Sequence, residues 1–321
     1  MAPAKLAPTV TLADGREMPV IGLGTYTPGG QSGAKDEHGV GEVERAVMDA
    51  LDTGYRHIDA ALVYANEDEV GRGVRAKIAE GVVRRQDLFI CTKLWNNAHR
   101  PDLVEAACRQ SLANLGLDYV DLYLMHWPTA FAEGGELVPK GPDGKVLFSD
   151  VDILDTYRAM EGLVDKGLVR SLGVSNFNSA QLERVLGACS VRPVVNQVEC
   201  HPLFSQRKML ALCARHGVRV VAYRPFGGKA DALLEDKTIA AVGVRHGKAP
   251  GQVILRYLIQ IGANPIPKSV TKSRIQQNFD IFDFELTEKD MAIMDGLNQN
   301  RRACLLLDAA AHPEYPFAID F

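Results

Sequence analysis

The chain has 321 residues, of which 46% are hydrophobic and 24% charged, and these fractions are typical of a globular protein. The formal net charge of -4 offers no basic surface for nucleic acid, and no apolar run reaches the ~18 residues of a membrane span. We therefore expect neither nucleic acid nor a membrane as a partner.

The cysteines and the N-terminus indicate a compartment. The six cysteines are scattered and contain no CxxC pair, so we expect reduced thiols rather than disulfides, and no metal site. The opening MAPAKLAPTV has no apolar core of the kind that a secretory signal needs. These features favour a cytoplasmic location.

The chain begins with a hairpin pattern. Residues 9–18 alternate apolar and polar side chains around Asp14-Gly15, which predicts a short β-hairpin able to cover one end of a barrel. The first buried strand and its exit loop lie in VIGLGTY, Val20 to Tyr26. A long Gly-rich loop follows, and the helix EVERAVMDALDT then ends at Gly54 as a C-cap.

Strands and helices then alternate along the chain. The further strands are predicted at His57–Asp59, Leu88–Lys93, Asp121–His126, Ser171–Ser175, Val194–Val198, Arg219–Tyr223 and Asn264–Ile266. The helices after them are predicted at Glu67–Glu80, Asp102–Asn114, Ile153–Lys166, Ser179–Ala188, Gln206–His216, Lys237–His246 and Gly251–Ile261. One more helix, Leu286 to Leu297, begins with the capping box Thr287 to Asp290.

This order of elements predicts the fold class. Eight short apolar strands, each followed by a helix and with no linker between the units, favour an α/β protein with a (β/α)8 TIM barrel in one domain, residues 1–321. A doubly wound fold would need GxGxxG after the first strand, and Gly22-Leu23-Gly24 has no third glycine at the required place. We expect the apolar tail, residues 298–321, to fold over the pocket.

Three predicted strands end in side chains that can handle protons. Asp59, Lys93 and His126 close successive strands, and Tyr64 follows Asp59 by five residues. The carboxyl ends of barrel strands carry the active site, so we expect these four side chains on one rim. Each alone also has an ordinary explanation, such as an ion pair, a surface lysine or a core histidine. Their joint placement carries the hypothesis.

The residue types define the expected chemistry. A free phenol has a pKa near ~10, which is too high for efficient general acid catalysis at neutral pH. A neighbouring ammonium favours the phenolate and should lower this pKa, and a carboxylate would hold the ammonium in place. A histidine beside the phenol can orient a carbonyl oxygen. Together the four groups would protonate an oxygen as hydride reaches its carbon.

At this point the chain resembles the aldo-keto reductase family, close to its aldose reductase and aldehyde reductase branch. The resemblance runs from the N-terminal hairpin to the last residues and includes the family's C-terminal substrate loop. The motifs that carry it are GYRHIDAALVY, CTKLW, LMHWP, GVSNFN, NQVECHP, IPKSVTKSRIQQN and HPEYPF.

The resemblance implies a catalytic tetrad of Asp59, Tyr64, Lys93 and His126, with the tyrosine as general acid. Position 126 is His rather than the Glu of steroid double-bond reductases, which favours carbonyl over C=C reduction. It also implies a monomer that reduces a small-molecule aldehyde or ketone with NADPH, which becomes NADP+. The implied cofactor ligands are Thr25, Ser175, Asn176, Gln197, Tyr223, Arg224, Phe226, Lys268, Ser269, Val270, Thr271, Arg274, Gln277 and Asn278.

Several of these positions have distinct expected roles. Tyr223 corresponds to the tyrosine that stacks on the nicotinamide ring. Lys268 and Arg274 would clamp the 2′-phosphate, which favours NADPH over NADH. Arg224 and Phe226 stand where relatives often have Ser and Leu. The loop Gly228 to Leu234 is short for the family, and we expect faster cofactor exchange from it.

The resemblance also implies a substrate pocket. Its lining residues would be Tyr26, Trp95, Trp127, Phe131, Val138, Cys304 and Leu306. Such a pocket is apolar with one polar end and suits carbonyl compounds with apolar bodies. Val138 and Arg301 replace aromatic residues of aldose reductase, so a strict sugar preference is not expected. Cys304 has two interpretations, an oxidation-sensitive thiol or an inert buried cysteine.

Two other functions are compatible with a barrel. The first is an enzyme that uses Lys93 as a Schiff-base nucleophile without NADPH. The second is a non-catalytic NADPH-binding protein with a structural or regulatory role. The IPKSVTKSR motif argues against the first, and an intact tetrad, which a non-catalytic protein does not need, argues against the second.

Overall fold

The computed structural model describes residues 6–27, 41–319 and 321. It begins with the predicted hairpin, in which β1 (Thr9–Thr11) pairs antiparallel with β2 (Glu17–Pro19). Gly15 has a φ of 81° in the turn, a conformation that glycine adopts without strain. The predicted loop between the first strand and the first helix falls largely on residues 28–40, which lie outside the described residues.

Eight parallel strands form the barrel, in sequence order around the sheet. Backbone hydrogen bonds from Gly22 to the Pro265 carbonyl (3.1 Å) and from Gly24 to the Pro267 carbonyl (3.0 Å) join its two edges. These bonds close the sheet and confirm the predicted (β/α)8 barrel. The strands are β3 (Leu23–Gly24), β4 (His57–Asp59), β5 (Phe89–Leu94), β6 (Val120–Met125), β7 (Val169–Ser175), β8 (Val195–Glu199), β9 (Arg219–Tyr223) and β10 (Ala263–Pro265).

Helices surround this sheet and bury one apolar face each, as α/β packing requires. Gly54 ends the first helix with a φ of 124°, as predicted. The helices are α1 (Glu42–Thr53), α2 (Glu67–Ala79), α3 (Pro101–Leu115), α4 (Ile153–Asp165), α5 (Ser179–Ala188), α6 (Arg207–Arg215), α7 (Lys237–His246), α8 (Pro250–Gln260), α9 (Lys272–Phe279) and α10 (Glu288–Asp295). No helix in the described ranges is long and apolar enough to cross a membrane.

The hairpin closes the amino-terminal end of the barrel. Leu12 and Met18 are buried against interior side chains such as Phe89 and Leu122. The Asp14 carboxylate in the turn accepts a 2.5 Å hydrogen bond from the Ser171 hydroxyl of β7. With this end filled, the opposite end is the one that can receive a ligand.

Two differences from the predicted elements stand out. The first barrel strand is only Leu23–Gly24, shorter than the predicted segment from Val20, and it lies very close to the chain after β10. A Cβ on Gly24 would lie 2.8 Å from the Ile266 carbonyl oxygen. The prediction also missed α9 inside the IPKSVTKSRIQQN motif, where only Ile275, Asn278 and Phe279 are buried.

Candidate active site

The strand period of two places the proton-handling groups inside the barrel. On β5, Phe89 and Cys91 belong to the interior cluster, so the next residue in that series, Lys93, also points inward. On β6 the same series runs through Leu122 and Leu124 to His126, directly after the strand. Hydrophobic layers fill the barrel below, and the polar groups form the layer at its carboxyl-terminal end.

Lys93 lies at the centre of this layer and is completely buried. Its Nζ lies 2.6 Å from Asp59 Oδ1, donates to the Ala60 carbonyl at 2.8 Å and lies 3.4 Å from the Tyr64 hydroxyl. Tyr64 ends a short 3-10 turn, Leu62–Tyr64, that follows β4. The structure therefore brings together Asp59 and Lys93, predicted at separate strand ends, and Tyr64, predicted on the loop after Asp59.

The second oxygen of Asp59 is also occupied. Gln197 Nε2, from β8 across the barrel, donates to Asp59 Oδ2 at 2.8 Å. Thr25 binds the same residue through its backbone, because its hydroxyl donates to the Asp59 carbonyl at 2.8 Å. These contacts fix the carboxylate in one orientation, with one oxygen facing Lys93.

The balance between burial and charge sets the protonation states. Burial raises the pKa of Tyr64 to about 12, although the Lys93 ammonium acts in the opposite direction. The expectation that the ammonium brings this phenol below its ordinary pKa is therefore wrong, because the loss of hydration outweighs the charge. Tyr64 remains a protonated phenol, and hence a proton donor, at neutral pH.

Lys93 itself remains an ammonium. Burial alone would lower its pKa, but the Asp59 carboxylate reverses the effect and the pKa lies above the ordinary lysine value. A Schiff-base lysine needs the opposite, a depressed pKa that frees the amine. The geometry thus argues against Lys93 as a nucleophile.

His126 completes the layer as a neutral imidazole. Burial, together with the nearby Lys93 ammonium, holds its pKa well below the ordinary histidine value. Its ring meets Tyr64 and Trp95 edge-on, with centroid distances of 5.8 and 5.1 Å. Its backbone carbonyl accepts a 2.9 Å hydrogen bond from Asn176 Nδ2, which ties the end of β6 to the end of β7.

A second polar group lies beside this layer, at the ends of β7, β8 and β9. The Ser175 hydroxyl donates to the Gln197 carbonyl at 2.8 Å, and the Tyr223 hydroxyl donates to Asn176 Oδ1 at 2.6 Å. Asn176 has a φ of 62°, a left-handed conformation that asparagine tolerates better than most residues. Four predicted cofactor residues, Ser175, Asn176, Gln197 and Tyr223, thus adjoin the Asp59–Lys93 pair.

Other predicted cofactor residues lie around α9. Lys268 and Arg274 are exposed, and within the described part of the chain neither pairs with a carboxylate. Ser269 Oγ accepts a 3.1 Å hydrogen bond from the Thr271 N–H just before the helix. Val270 packs on the core, Gln277 is exposed and Asn278 is 8% exposed.

The loop after β9 carries the last two predicted cofactor residues. Arg224 is exposed and has a φ of 48°. Phe226 packs on the main hydrophobic core, and its ring faces Gly251 at the start of α8. The structure therefore places Phe226 in a packing role, and its contact with a cofactor remains a prediction.

An apolar cluster adjoins His126 on the other side. Its buried members include Trp95, Trp127 and Phe131, and Cys304 and Leu306 of the C-terminal segment pack against the cluster. Trp95 Nε1 donates to the Leu137 carbonyl at 2.6 Å, which fixes the indole. Burial raises the pKa of the Cys304 thiol, which favours the less reactive protonated form.

Two predicted pocket residues lie outside this cluster. Tyr26 is 47% exposed, and its ring meets Tyr64 edge-on at a centroid distance of 5.2 Å. Val138 is 37% exposed, next to the residue whose carbonyl binds Trp95. A role for either in binding substrate remains a prediction.

Some contributors were not predicted from the sequence. The Ala60 carbonyl is a ligand of the Lys93 ammonium, and Glu199 binds the C-terminal segment. A backbone carbonyl leaves no mark in a sequence. Glu199 could have been found from the sequence, since a carboxylate within the buried strand VNQVE must face a partner.

The chain is similar to known proteins over most of its length. The model of the Aldo/keto reductase family matches residues 20–299. Aldo-keto reductase family 1 member A1-A of Danio rerio is 43% identical, with 96% of this chain and 98% of that protein covered.

Solved structures agree with the sequence comparison. The aldose reductase from Schistosoma japonicum has a TM-score of 0.91 at 40% identity, with 98% of this chain and 100% of that chain covered. The Bombyx mori aldo-keto reductase, solved in complex with NADP, has a TM-score of 0.88 at 41% identity with the same coverage. The chain therefore belongs to the aldo/keto reductase family and is an oxidoreductase that acts on carbonyl groups.

Proposed function

We propose that this protein reduces aldehydes or ketones to alcohols with NADPH, and that Tyr64 is the general acid. One observation carries the proposal. A buried ammonium, Lys93, lies between a carboxylate at 2.6 Å and a phenol hydroxyl at 3.4 Å, on the rim of a closed barrel. Such an arrangement serves proton transfer to an oxygen that gains negative charge.

The cofactor is NADPH, and when bound it supplies a hydride to the carbonyl carbon. The chemistry of the donor groups fits a dinucleotide phosphate. Lys268 and Arg274 are exposed cations near the start of α9, where free backbone N–H groups favour anions. Side-chain amides and hydroxyls at the ends of β7 and β8 match the hydrogen-bonding groups of a carboxamide. Arg224 adds a further exposed cation that can approach a phosphate.

The side chains of the protein supply the proton that the carbonyl oxygen takes up. The phenol of Tyr64 donates its proton to the carbonyl oxygen as the carbon becomes tetrahedral. Lys93 stabilises the phenolate that forms, and Asp59 keeps Lys93 charged and in place. His126 is neutral and can offer a ring N–H to the carbonyl oxygen, which orients it toward Tyr64.

The substrate class follows from the apolar cluster. Trp95, Trp127 and Phe131 form an apolar wall next to the polar tetrad, so the favoured substrates carry an apolar body on the carbonyl group. We assign Cys304 and Leu306 to the same wall. We also assign Tyr26 and Val138 to the pocket mouth.

We further propose that residues 1–321 work as one domain, with residues 298–321 covering the pocket. A cytoplasmic monomer is the form that we expect. Support for the compartment comes from six cysteines without disulfide spacing. Sedimentation equilibrium would test the monomer, and a concentration-dependent dimer would contradict it.

Tyr64→Phe tests the general acid directly. The variant removes one hydroxyl and should bind NADPH normally, because this hydroxyl is assigned to the carbonyl oxygen. Its turnover of an aromatic aldehyde, followed as loss of absorbance from NADPH, should fall by about 10²–10⁴-fold, the range for a positioned proton donor. Near-normal turnover would refute the assignment. An unchanged affinity for NADPH is the control for folding.

A further inference from the structure

Glu199, the last residue of β8, is completely buried and carries out no step of the proposed reaction. Its Oε1 accepts a hydrogen bond from the Ala303 backbone N–H at 2.7 Å, and its Oε2 accepts one from the Cys304 backbone N–H at 2.7 Å. Nε2 of the buried His201 lies 2.8 Å from Oε1. One carboxylate therefore binds two consecutive amides of the C-terminal segment.

Other contacts hold the residues just before these amides. The N–H groups of Gln299 and Arg301 both donate to the Leu203 carbonyl, at 3.1 Å each. The Arg302 guanidinium stacks on the rings of Phe317 and Phe204, at 3.6 and 4.4 Å from their centroids. The segment is thus attached to the barrel continuously up to Cys304.

After Cys304 the C-terminal segment is more exposed to solvent. Leu305 and Leu307 are 37% and 68% exposed, and the Leu305 carbonyl is bound by Tyr315 of the same C-terminal segment. Cys304 and Leu306 nevertheless pack on the apolar cluster beside His126. Glu199 is therefore the last side chain of the barrel sheet that binds the backbone before the segment reaches that cluster.

Glu199 itself is held by the sheet. It pairs in register with Tyr223 of β9, and its own carbonyl accepts a 3.1 Å hydrogen bond from Gln206. Its position therefore depends on the barrel and not on the segment that it binds. A movement of the segment relative to the rim would have to break two charge-assisted hydrogen bonds.

We propose that Glu199 is a positioning residue that fixes Cys304 and Leu306 against the apolar cluster beside His126 and thereby sets the size selectivity for carbonyl substrates. This proposal rests on the proposed function. A large carbonyl substrate needs the wall in place for its apolar body to be bound, and a small one does not reach that wall. Loss of the two amide contacts lowers the preference for large substrates and leaves proton transfer intact.

The test is Glu199→Gln, which keeps the shape of the side chain but replaces one acceptor oxygen with an NH₂ group facing a backbone N–H. We expect kcat/KM for naphthaldehyde to fall about tenfold, chiefly through KM, as lost ground-state binding requires. The value for propanal should stay within about twofold, because that substrate lacks the apolar body. The Kd of NADPH, from quenching of protein fluorescence, should not change.

Two further variants separate positioning from stability. Ala303→Pro removes one donated N–H without altering the barrel, and it should reproduce the selective loss, whereas Ala303→Ser keeps the N–H and should not. Asp290→Asn is the matched control, because Asp290 is 2% exposed and its carboxylate accepts a hydrogen bond from the Thr287 N–H at the start of α10. It should lower stability and leave the ratio of the two kcat/KM values unchanged.

Two results would overturn the role of Glu199. One is an equal loss of kcat/KM for both aldehydes in Glu199→Gln, and the other is the same change in the ratio of the two kcat/KM values in Asp290→Asn. If both Glu199→Gln and Ala303→Pro keep the wild-type ratio of kcat/KM for the two aldehydes, the role of Glu199 is also overturned, while the proposed function stays intact. A wild-type protein that reduces neither aldehyde refutes the proposed function, and the role of Glu199 in substrate selection with it.

Discussion

Gln197 donates a hydrogen bond of 2.8 Å to Asp59 across the barrel interior. With the 2.6 Å contact from Lys93 on the other oxygen, both oxygens of this buried carboxylate have partners. A residue assigned to the cofactor thus also supports the group that holds the catalytic ammonium. Asp59 is consequently central to the site both structurally and electrostatically.

The first prediction concerns the buried Lys93–Asp59 pair. Lys93→Met leaves the Asp59 carboxylate buried with no cation, and removal of one partner from such a pair costs about 3–5 kcal/mol of unfolding free energy. Turnover should be lost as well, because nothing then stabilises the Tyr64 phenolate. Urea denaturation followed by circular dichroism would measure the first effect.

A double variant separates the two effects of Lys93→Met. Asp59→Asn together with Lys93→Met removes both charges and keeps the shapes similar, so most of the lost stability should return while activity stays absent. A double variant that is no more stable than Lys93→Met would show that the pair is not a coupled electrostatic unit.

The second prediction concerns the pH dependence of reduction. A general acid works only while protonated, and burial raises the pKa of Tyr64 to about 12. His126, with a pKa held well below the ordinary value, stays neutral above its depressed pKa. The profile of kcat for aldehyde reduction should therefore be flat from about pH 6 to pH 9, measured under saturating NADPH.

The reverse reaction gives the matching control for this pH prediction. Alcohol oxidation needs the phenolate as base, so its rate should rise with pH over the same window. A reduction rate that falls with an apparent pKa near 7 or 8 would contradict the protonation state assigned to Tyr64. Tyr64→Phe should abolish the pH dependence of oxidation along with the activity.

Part of this site could be read from the sequence. Asp59, Lys93 and His126 end short apolar runs, and parallel strands in a barrel bring such ends to one rim. The contact between Gln197 and Asp59 could not, because β4 and β8 lie across the barrel and no local pattern records their relative height. The net pKa of Tyr64 could not either, since it depends on how deeply the phenol is buried.

The fold, like the site, could be predicted from the sequence only in part. The polar helix α9 has few buried apolar residues, so hydrophobic periodicity gave no sign of it. Gly24 of β3 lies against the Ile266 carbonyl, a contact between residues far apart in the sequence that no local pattern records. The amphipathic helices α5 and α7 were predicted to the residue, since caps and periodicity agree there.

The third prediction concerns stability in acid. His57 and His99 are buried, and the ring nitrogens of His99 have no hydrogen-bond partner among the described residues. Burial lowers their pKa values to about 4 and about 3. Below the ordinary histidine pKa the unfolded chain takes up protons that the folded chain does not, so stability falls as the pH drops from about 6.5 toward 4.

His99→Leu tests this directly, since it removes one titrating group that has no partner to lose. Between pH 7.5 and pH 5.5 the wild-type protein should lose about 1.4 kcal/mol more unfolding free energy than the variant. Urea denaturation at both pH values would measure the difference. An identical acid loss in the two proteins would show that His99 is not a buried neutral imidazole.

The fourth prediction concerns the choice of cofactor. Arg274 is exposed on α9 and is assigned to the 2′-phosphate, which NADH lacks. Arg274→Ala should weaken the binding of NADPH by about 10–100-fold, which is the contribution of a charge-assisted contact. The affinity for NADH should stay unchanged. Lys272→Ala is the matched control on the same helix, because Lys272 pairs with Asp49 at 2.8 Å. Equal effects of Arg274→Ala on the two cofactors would contradict the assignment.

The last prediction concerns the loop after β9. Its shortness led to the expectation of fast cofactor exchange, but the structure shows a tether. The Asp231 carboxylate, 5% exposed, forms an ion pair with Arg301 of the C-terminal segment and accepts a hydrogen bond from the Gly228 N–H at 2.5 Å. Opening of this loop would have to break the ion pair, so Arg301 should slow the release of NADP+.

Arg301→Ala should therefore accelerate NADP+ release, measured by stopped-flow fluorescence. Arg301 is half-exposed, and such ion pairs contribute about 0.2–1 kcal/mol, so the acceleration should be no more than about fivefold. High salt should accelerate NADP+ release from the wild-type protein more than from the variant, because only the wild type has the ion pair to be screened. Lys229→Ala removes a charge from the same loop, where Lys229 has no ion pair within the described residues, and should leave release unchanged. If Arg301→Ala also leaves the release rate unchanged, the ion pair does not control the loop.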